Sequence, residues 1–223
     1  GIEISAMADL PGRTGMGSSG AFTVALLNAL YENKLEQIPR DVLAEQANYV
    51  EAVRAAQPAG KQDHYLAAYG GLTQVEVDTD GQVTASTFGL DHDTMEELRK
   101  SMLLFYTGIE RDSSDLLSQQ ESDTLKGDKE VIDSLHEVKR LGFEIKETLK
   151  NGQLDRFGIL LHQHWMTKKL RATNMSTGLI DKWYEKGRQA GALGMVPVCA
   201  GAAGAAAPRD HVAPGRGHPV ALL

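Results

Sequence analysis

Apolar and polar positions fall into two rhythms along the chain. Ile2-Glu3-Ile4-Ser5 alternates, so residues 2–8 are predicted as a strand, and a fold that opens mid-strand implies sequence upstream. Pro11, Gly12, Gly15 and Gly17 then break the pattern. From Ser18 the period becomes helical, with Phe22, Leu26, Leu27, Leu30 and Tyr31 at spacings of three and four. Pro39 starts a second helix, with Val42, Leu43, Ala47 and Val50 on one face, and Gln57-Pro58-Ala59-Gly60 ends it. A short helix is predicted at about 62–69, stopped by Gly70-Gly71. Leu72 to Val77 alternates, Asp80-Gly81 turns the chain and Val83 resumes it, the mark of a hairpin.

Ser101 to Tyr106 is dense enough in apolar residues for a buried strand. The chain beyond it reads as helix. Val131, Leu135, Val138, Leu141, Ile145 and Leu149 form one stripe, and Leu154, Phe157, Leu160, Leu161 and Trp165 form another. A third helix covers 178–191. Residues 195–223, rich in Ala, Gly and Pro, carry no period and are expected to be irregular. A domain boundary is placed near 95–100.

Composition narrows the function without naming it. A 223-residue chain with 42% hydrophobic and 24% charged residues can bury a sizeable core. A net charge of -7 argues against nucleic acid as a partner. An anionic small molecule stays open, because a phosphate needs only local donors. The single cysteine, Cys199, excludes an internal disulfide and fits a reducing, cytoplasmic setting. No apolar run approaches the ~20 residues of a membrane helix, and no signal-peptide pattern opens the chain.

The most informative segment is Asp9-Leu-Pro-Gly-Arg-Thr-Gly-Met-Gly-Ser-Ser19, between a predicted strand and a predicted helix. Glycines let the backbone close round an anion, and the helix adds the positive end of its dipole. Ser18 and Ser19 can donate to phosphate or ligate Mg²⁺ through a hydroxyl. Gly12 and Gly17 have the glycine spacing of a Walker loop, but Ser18 stands where its lysine belongs, which excludes that motif. Pro11-x3-Gly15-Met16-Gly17-Ser18-Ser19 resembles the phosphate-binding motif of the GHMP kinases, P-x3-G-L-G-S-S, with Met16 for Leu. The resemblance implies that Pro11, Gly12, Gly15, Met16, Gly17, Ser18 and Ser19 hold the phosphates of ATP.

The string Gly60-Lys-Gln-Asp-His-Tyr-Leu-Ala-Ala-Tyr-Gly-Gly71 is similar to the family segment that carries the catalytic aspartate, in the GKQD form of its heptose-kinase branch. By that likeness Asp63 is the base that takes the proton of the attacking sugar hydroxyl. Lys61 and Gln62 would hold sugar or phosphate; the alternative for Lys61 is an ordinary surface lysine. Glu51, twelve residues upstream, is implied as a Mg²⁺ ligand with Ser18 and Ser19; its alternative is a solvated helix residue. Thr107-Gly-Ile-Glu-Arg-Asp-Ser-Ser114 resembles a substrate-side segment of the same branch, implicating Gly108, Arg111, Ser113 and Ser114. A capped helix start would explain that cluster equally well. His162 and His164 fall on different helix faces and read as structural.

The resemblance covers residues 1–194. Gly191-Ala-Leu-Gly194 opens the family's late glycine motif, and Met195-Val-Pro-Val-Cys199 departs from it. The implied fold is α+β in two domains, 1–97 binding ATP and 98–194 with helices on an antiparallel sheet, followed by the tail 195–223. The implied activity is an ATP- and Mg²⁺-dependent sugar kinase acting on the anomeric hydroxyl of D-glycero-D-manno-heptose 7-phosphate. The rivals are a fucokinase or galactokinase type, or a non-catalytic, ligand-sensing relative. The partner is a small sugar or sugar phosphate, and a homodimer stays open. With the start and the late motif altered, this chain is expected to be a poor kinase.

Overall fold

A computed structural model describes residues 2–7, 16–57, 59–78, 80–107, 122, 124–170, 176–198 and 202–206. The fold is α+β. Helices α1 (Ser18–Asn33), α2 (Arg40–Asn48) and α3 (Lys61–Tyr69) pack on one another, and a π-helical turn (Tyr49–Arg54) continues α2. The hairpin follows, β1 (Thr73–Val77) antiparallel to β2 (Val83–Thr87), with Val77 opposite Val83. Its turn is closed by the Asp78 carboxylate, which accepts from the Asp80 and Gln82 amides at 2.9 and 2.8 Å. Then come α4 (His92–Lys100), β3 (Met102–Tyr106), α5 (Lys129–Lys150), α6 (Leu154–Lys169), α7 (Gly178–Gln189), β4 (Gly194–Val198) and β5 (Ala202–Ala206).

Two apolar cores hold these elements. In the first, Val24 of α1 meets Leu43 and Ala47 of α2, with Leu27, Ile38 and Ala68 around them. The second joins Leu98 of α4 to Leu149, Leu154, Phe157, Leu161 and Val196, with Phe88 and Leu90 packed against it. Leu98 thus belongs to the second core, and the boundary predicted near 95–100 falls within α4. Both predicted stripes of α5 and α6 point inward: Val131, Leu141, Leu149, Leu154, Phe157, Leu160, Leu161 and Trp165 are all buried. Phe157 is 1% exposed. Phe157→Ala is therefore expected to destabilise the fold by about 3–5 kcal/mol, through lost apolar transfer and an unfilled cavity, as read by urea unfolding.

The structure corrects several expectations. Among the described residues no strand pairs with residues 2–7, and Ile2, Ile4 and Met7 are exposed, so alternation alone did not make a strand without a partner edge. The α1 stripe is shifted: Val24 is buried and Phe22 is half exposed. On α2 the small residues Ala44 and Ala47 face the neighbouring helices, while Val42 and, on the π-helical turn, Val50 are exposed, because close helix approach favours alanine over valine. The segment expected to be irregular holds two strands. β5 pairs antiparallel with both β3 and β4, in the order β3-β5-β4. Pro197 sits on β4, which among the described residues is an edge of that sheet, the setting in which a strand tolerates proline. Among the described residues no helix is long and apolar enough to cross a membrane.

Candidate active site

The site forms where the start of α1 meets the start of α3. Helix α1 begins after Gly17, whose φ of 65° is left-handed and whose position carries no side-chain cap. The starts of α2, α3 and α6 likewise carry no side-chain cap, whereas α4, α5 and α7 are capped by Asp91, Asp128 and Thr177. The first turn of α1 presents Ser18 and Ser19, both exposed, and among the described residues no side chain caps its amides. Asp63, in the first turn of α3, lies directly against this turn. A Cβ on Gly17 would sit 3.2 Å from the Asp63 Cγ and 3.4 Å from its Oδ2. One on Gly20 would sit 3.2 Å from the Asp63 Cβ. Two glycines three apart on one helical face thus let α1 approach α3 closely.

Asp63 keeps access to solvent, yet its surroundings raise its pKa above the usual aspartate value. Partial burial is the main cause. The neighbouring His64 works against it, and the negative charge of Glu51 adds to it. Glu51 lies on the π-helical turn and is buried; its Oε2 is 2.7 Å from Nε2 of His64. The π turn closes with the Ala55 amide donating to the Val50 carbonyl at 2.9 Å, and such turns interrupt regular helices at functional sites.

The predicted residues divide into three groups. Gly17, Ser18, Ser19 and Asp63 come together, with Met16 just ahead of them and Glu51 close enough for its charge to act on Asp63. Lys61 faces elsewhere. Its ammonium donates to Glu45 at 2.9 and 3.1 Å and to the Gly81 carbonyl at 3.1 Å, so all three of its donors serve the contact between α2, α3 and the hairpin turn. Tyr65 donates to the same carboxylate at 2.8 Å. Burial pushes Glu45 up, but the hydrogen bonds from Lys61 and Tyr65 hold it below its ordinary pKa. Gln62 is exposed on the solvent side of α3. Pro11, Gly12, Gly15, Gly108, Arg111, Ser113 and Ser114 lie outside the described residues.

Sequence reasoning missed His64. It is fully buried and bonded to Glu51, although its only mark in the sequence is its place beside Asp63. Among the described residues no group of three or more His, Cys, Asp and Glu side chains is set to hold a metal ion. The donor set near α1, two serine hydroxyls and one carboxylate, suits a hard cation that keeps waters and phosphate oxygens as its other ligands.

Residues 1–71 match the family model described as the GHMP kinases N terminal domain. Among individual proteins, the chain is similar to D-glycero-alpha-D-manno-heptose 7-phosphate kinase of Campylobacter jejuni, 23% identical over 91% of this chain and 59% of that protein. It is also similar to L-fucokinase/L-fucose-1-P guanylyltransferase of Bacteroides fragilis, 25% identical over 76% of this chain and 18% of that protein. Its fold matches the crystal structure of a D-glycero-D-manno-heptose 1-phosphate kinase from Bacteroides thetaiotaomicron with a TM-score of 0.68, at 22% identity, over 89% of this chain and 55% of that one. The chain thus spans little more than half the length of either heptose kinase.

Proposed function

We propose that the chain is an ATP-dependent kinase of small sugars whose acceptor is the anomeric hydroxyl of D-glycero-D-manno-heptose 7-phosphate, giving the 1,7-bisphosphate. The observation that carries this reading is the carboxyl of Asp63 held against Gly17 at the uncapped start of α1. A base must lie beside the phosphate donor, and here one backbone turn supplies the phosphate amides and touches the base. Ser18 and Ser19 would donate to the nucleotide phosphates, with Pro11 to Gly17 forming the rest of the loop. Mg²⁺, held by Ser18, Ser19 and Glu51, would neutralise the phosphate charge when bound. Asp63 would take the hydroxyl proton as the sugar oxygen bonds to the γ-phosphorus and the bond to ADP breaks. Its raised pKa suits a group that must accept that proton. A cytoplasmic setting, where ATP is abundant, fits this chemistry.

The fucokinase relative makes L-fucose the second acceptor to consider. A panel of heptose 7-phosphate, L-fucose and galactose with Mg-ATP, read by ADP release and product mass, distinguishes them. The heptose phosphate should be turned over with the highest kcat/KM. A chain that binds a sugar and releases no ADP with any acceptor would instead be a ligand-sensing relative.

Glu51→Gln keeps the side-chain shape and removes its charge. The Mg²⁺ concentration for half-maximal rate should rise by at least about tenfold. An unchanged Mg²⁺ dependence would remove Glu51 from the metal site.

A further inference from the structure

Behind Asp63 lies a buried polar group that the proposed chemistry does not use. His64 is 0% exposed, and among the described residues its Nδ1 has no hydrogen-bond partner. Among the described residues its side chain bonds to Glu51, Nε2 to Oε2 at 2.7 Å, across thirteen residues of sequence. A carboxylate in its ionised form only accepts, so the ring nitrogen is then the donor. A buried imidazole with one nitrogen left unsatisfied costs stability, which packing alone gives no reason to retain. Glu51 stands on a π turn between α2 and an irregular link, so the regular helix does not fix its carboxylate. His64, by contrast, sits within α3 and shares a peptide with Asp63. Asp63 in turn lies against the start of α1. One rigid helix thus carries both the candidate base and the donor that orients the candidate metal ligand.

We infer that His64 is a positioning residue for the metal site: its Nε2–H holds one oxygen of Glu51 so that the other is presented as a ligand. The inference rests on the proposed role of Glu51 in binding the metal. It concerns a buried donor, so it predicts effects on metal affinity that follow hydrogen-bond reach rather than bulk. Glutamine places an amide N–H about where Nε2 stands; asparagine is too short to reach Glu51; leucine fills the space and donates nothing.

The test uses Mn²⁺ as the probe, titrated into the chain with ADP and followed by the electron paramagnetic resonance of the free ion. Melting curves and metal-free ADP binding are recorded beside it. His64→Gln should bind Mn²⁺ within about twofold of the wild type, while His64→Asn and His64→Leu should bind it at least about tenfold more weakly, the usual consequence of removing a donor behind a ligand. Metal-free ADP affinity should not change in any of them. If one donorless variant melts below the assay temperature, the other carries the comparison. The inference is overturned if a folded donorless variant keeps wild-type Mn²⁺ affinity, or if the glutamine variant is weakened as much as the others. Glu51→Gln separates the two levels. Weakened Mn²⁺ binding there, with none in the donorless His64 variants, sinks the positioning role alone. Unchanged Mn²⁺ binding in Glu51→Gln sinks the metal role, and the positioning role with it.

Discussion

Asp63→Asn is expected to lower kcat for sugar phosphorylation by about 10²–10⁴-fold, the usual contribution of a positioned base. The asparagine has the same shape, so the contacts with Gly17 and Gly20 remain and ADP affinity should be near wild type. The pH profile provides a second reading. A base works unprotonated, so activity falls as pH drops through its pKa. Because partial burial raises that pKa, the acid limb should lie above the ordinary aspartate range. The limb should vanish from the residual rate of the asparagine variant. Asp63 could instead serve only as an acidic residue in the first turn of α3, favoured there by the helix dipole. In that case the substitution would lower the melting temperature and leave kcat and its pH profile alone. Near-wild-type turnover in Asp63→Asn would end its assignment as the base.

Elements defined by local pattern were legible in the sequence, and those defined by partners were not. The stripes of α5 and α6 repeat over several turns, so tertiary packing had little left to decide. The hairpin was legible because Asp80-Gly81 is a turn pair, with Gly81 at φ 76°, while the closing role of the Asp78 carboxylate emerged only from the structure. Residues 2–7 alternate as clearly, but a strand exists only through a partner edge, and among the described residues none pairs with them. β5 shows the converse. Ala202 to Ala206 has no polar positions to alternate with, yet its backbone pairs on both sides.

The site divides in the same way. The loop into α1 and the carboxylate on α3 could be named from their motifs. Their contact could be foreseen only in part, from Gly17 and Gly20 being three apart on the helix face that meets Asp63. His64 carried no periodic signal, because burial of a single histidine depends on what packs over it. The direction of Lys61 could not be read from its motif either. On α3 it is two residues from Asp63, about 200° around the helix, so it faces Glu45 and the hairpin turn instead.

Gly17→Val should damage the site through the backbone, and it tests whether the close approach of α1 to Asp63 matters. Two effects act in the same direction. A side chain at φ 65° costs roughly 1–2 kcal/mol for an ordinary residue, with a β-branched one at the upper end or beyond. The new Cβ would also meet the Asp63 carboxyl at 3.2–3.4 Å, and the valine methyls would come closer still. The neighbour that must yield is the proposed base, and a displacement approaching 1 Å costs up to about 10²-fold in rate. The expected result is a kcat lowered by at least tenfold, with ADP binding weakened because the phosphate turn itself is distorted. Gly142→Ala is the matching control. Gly142 lies in the middle of α5 with nothing within 4 Å of its added Cβ, so alanine there should stabilise the fold by about 0.5–1 kcal/mol and leave the rate alone. Thermal melts and steady-state kinetics on both variants separate the cases. If Gly17→Val lost stability while its kcat stayed at the wild-type value, the turn would be a structural joint and Asp63 would not depend on it for its position.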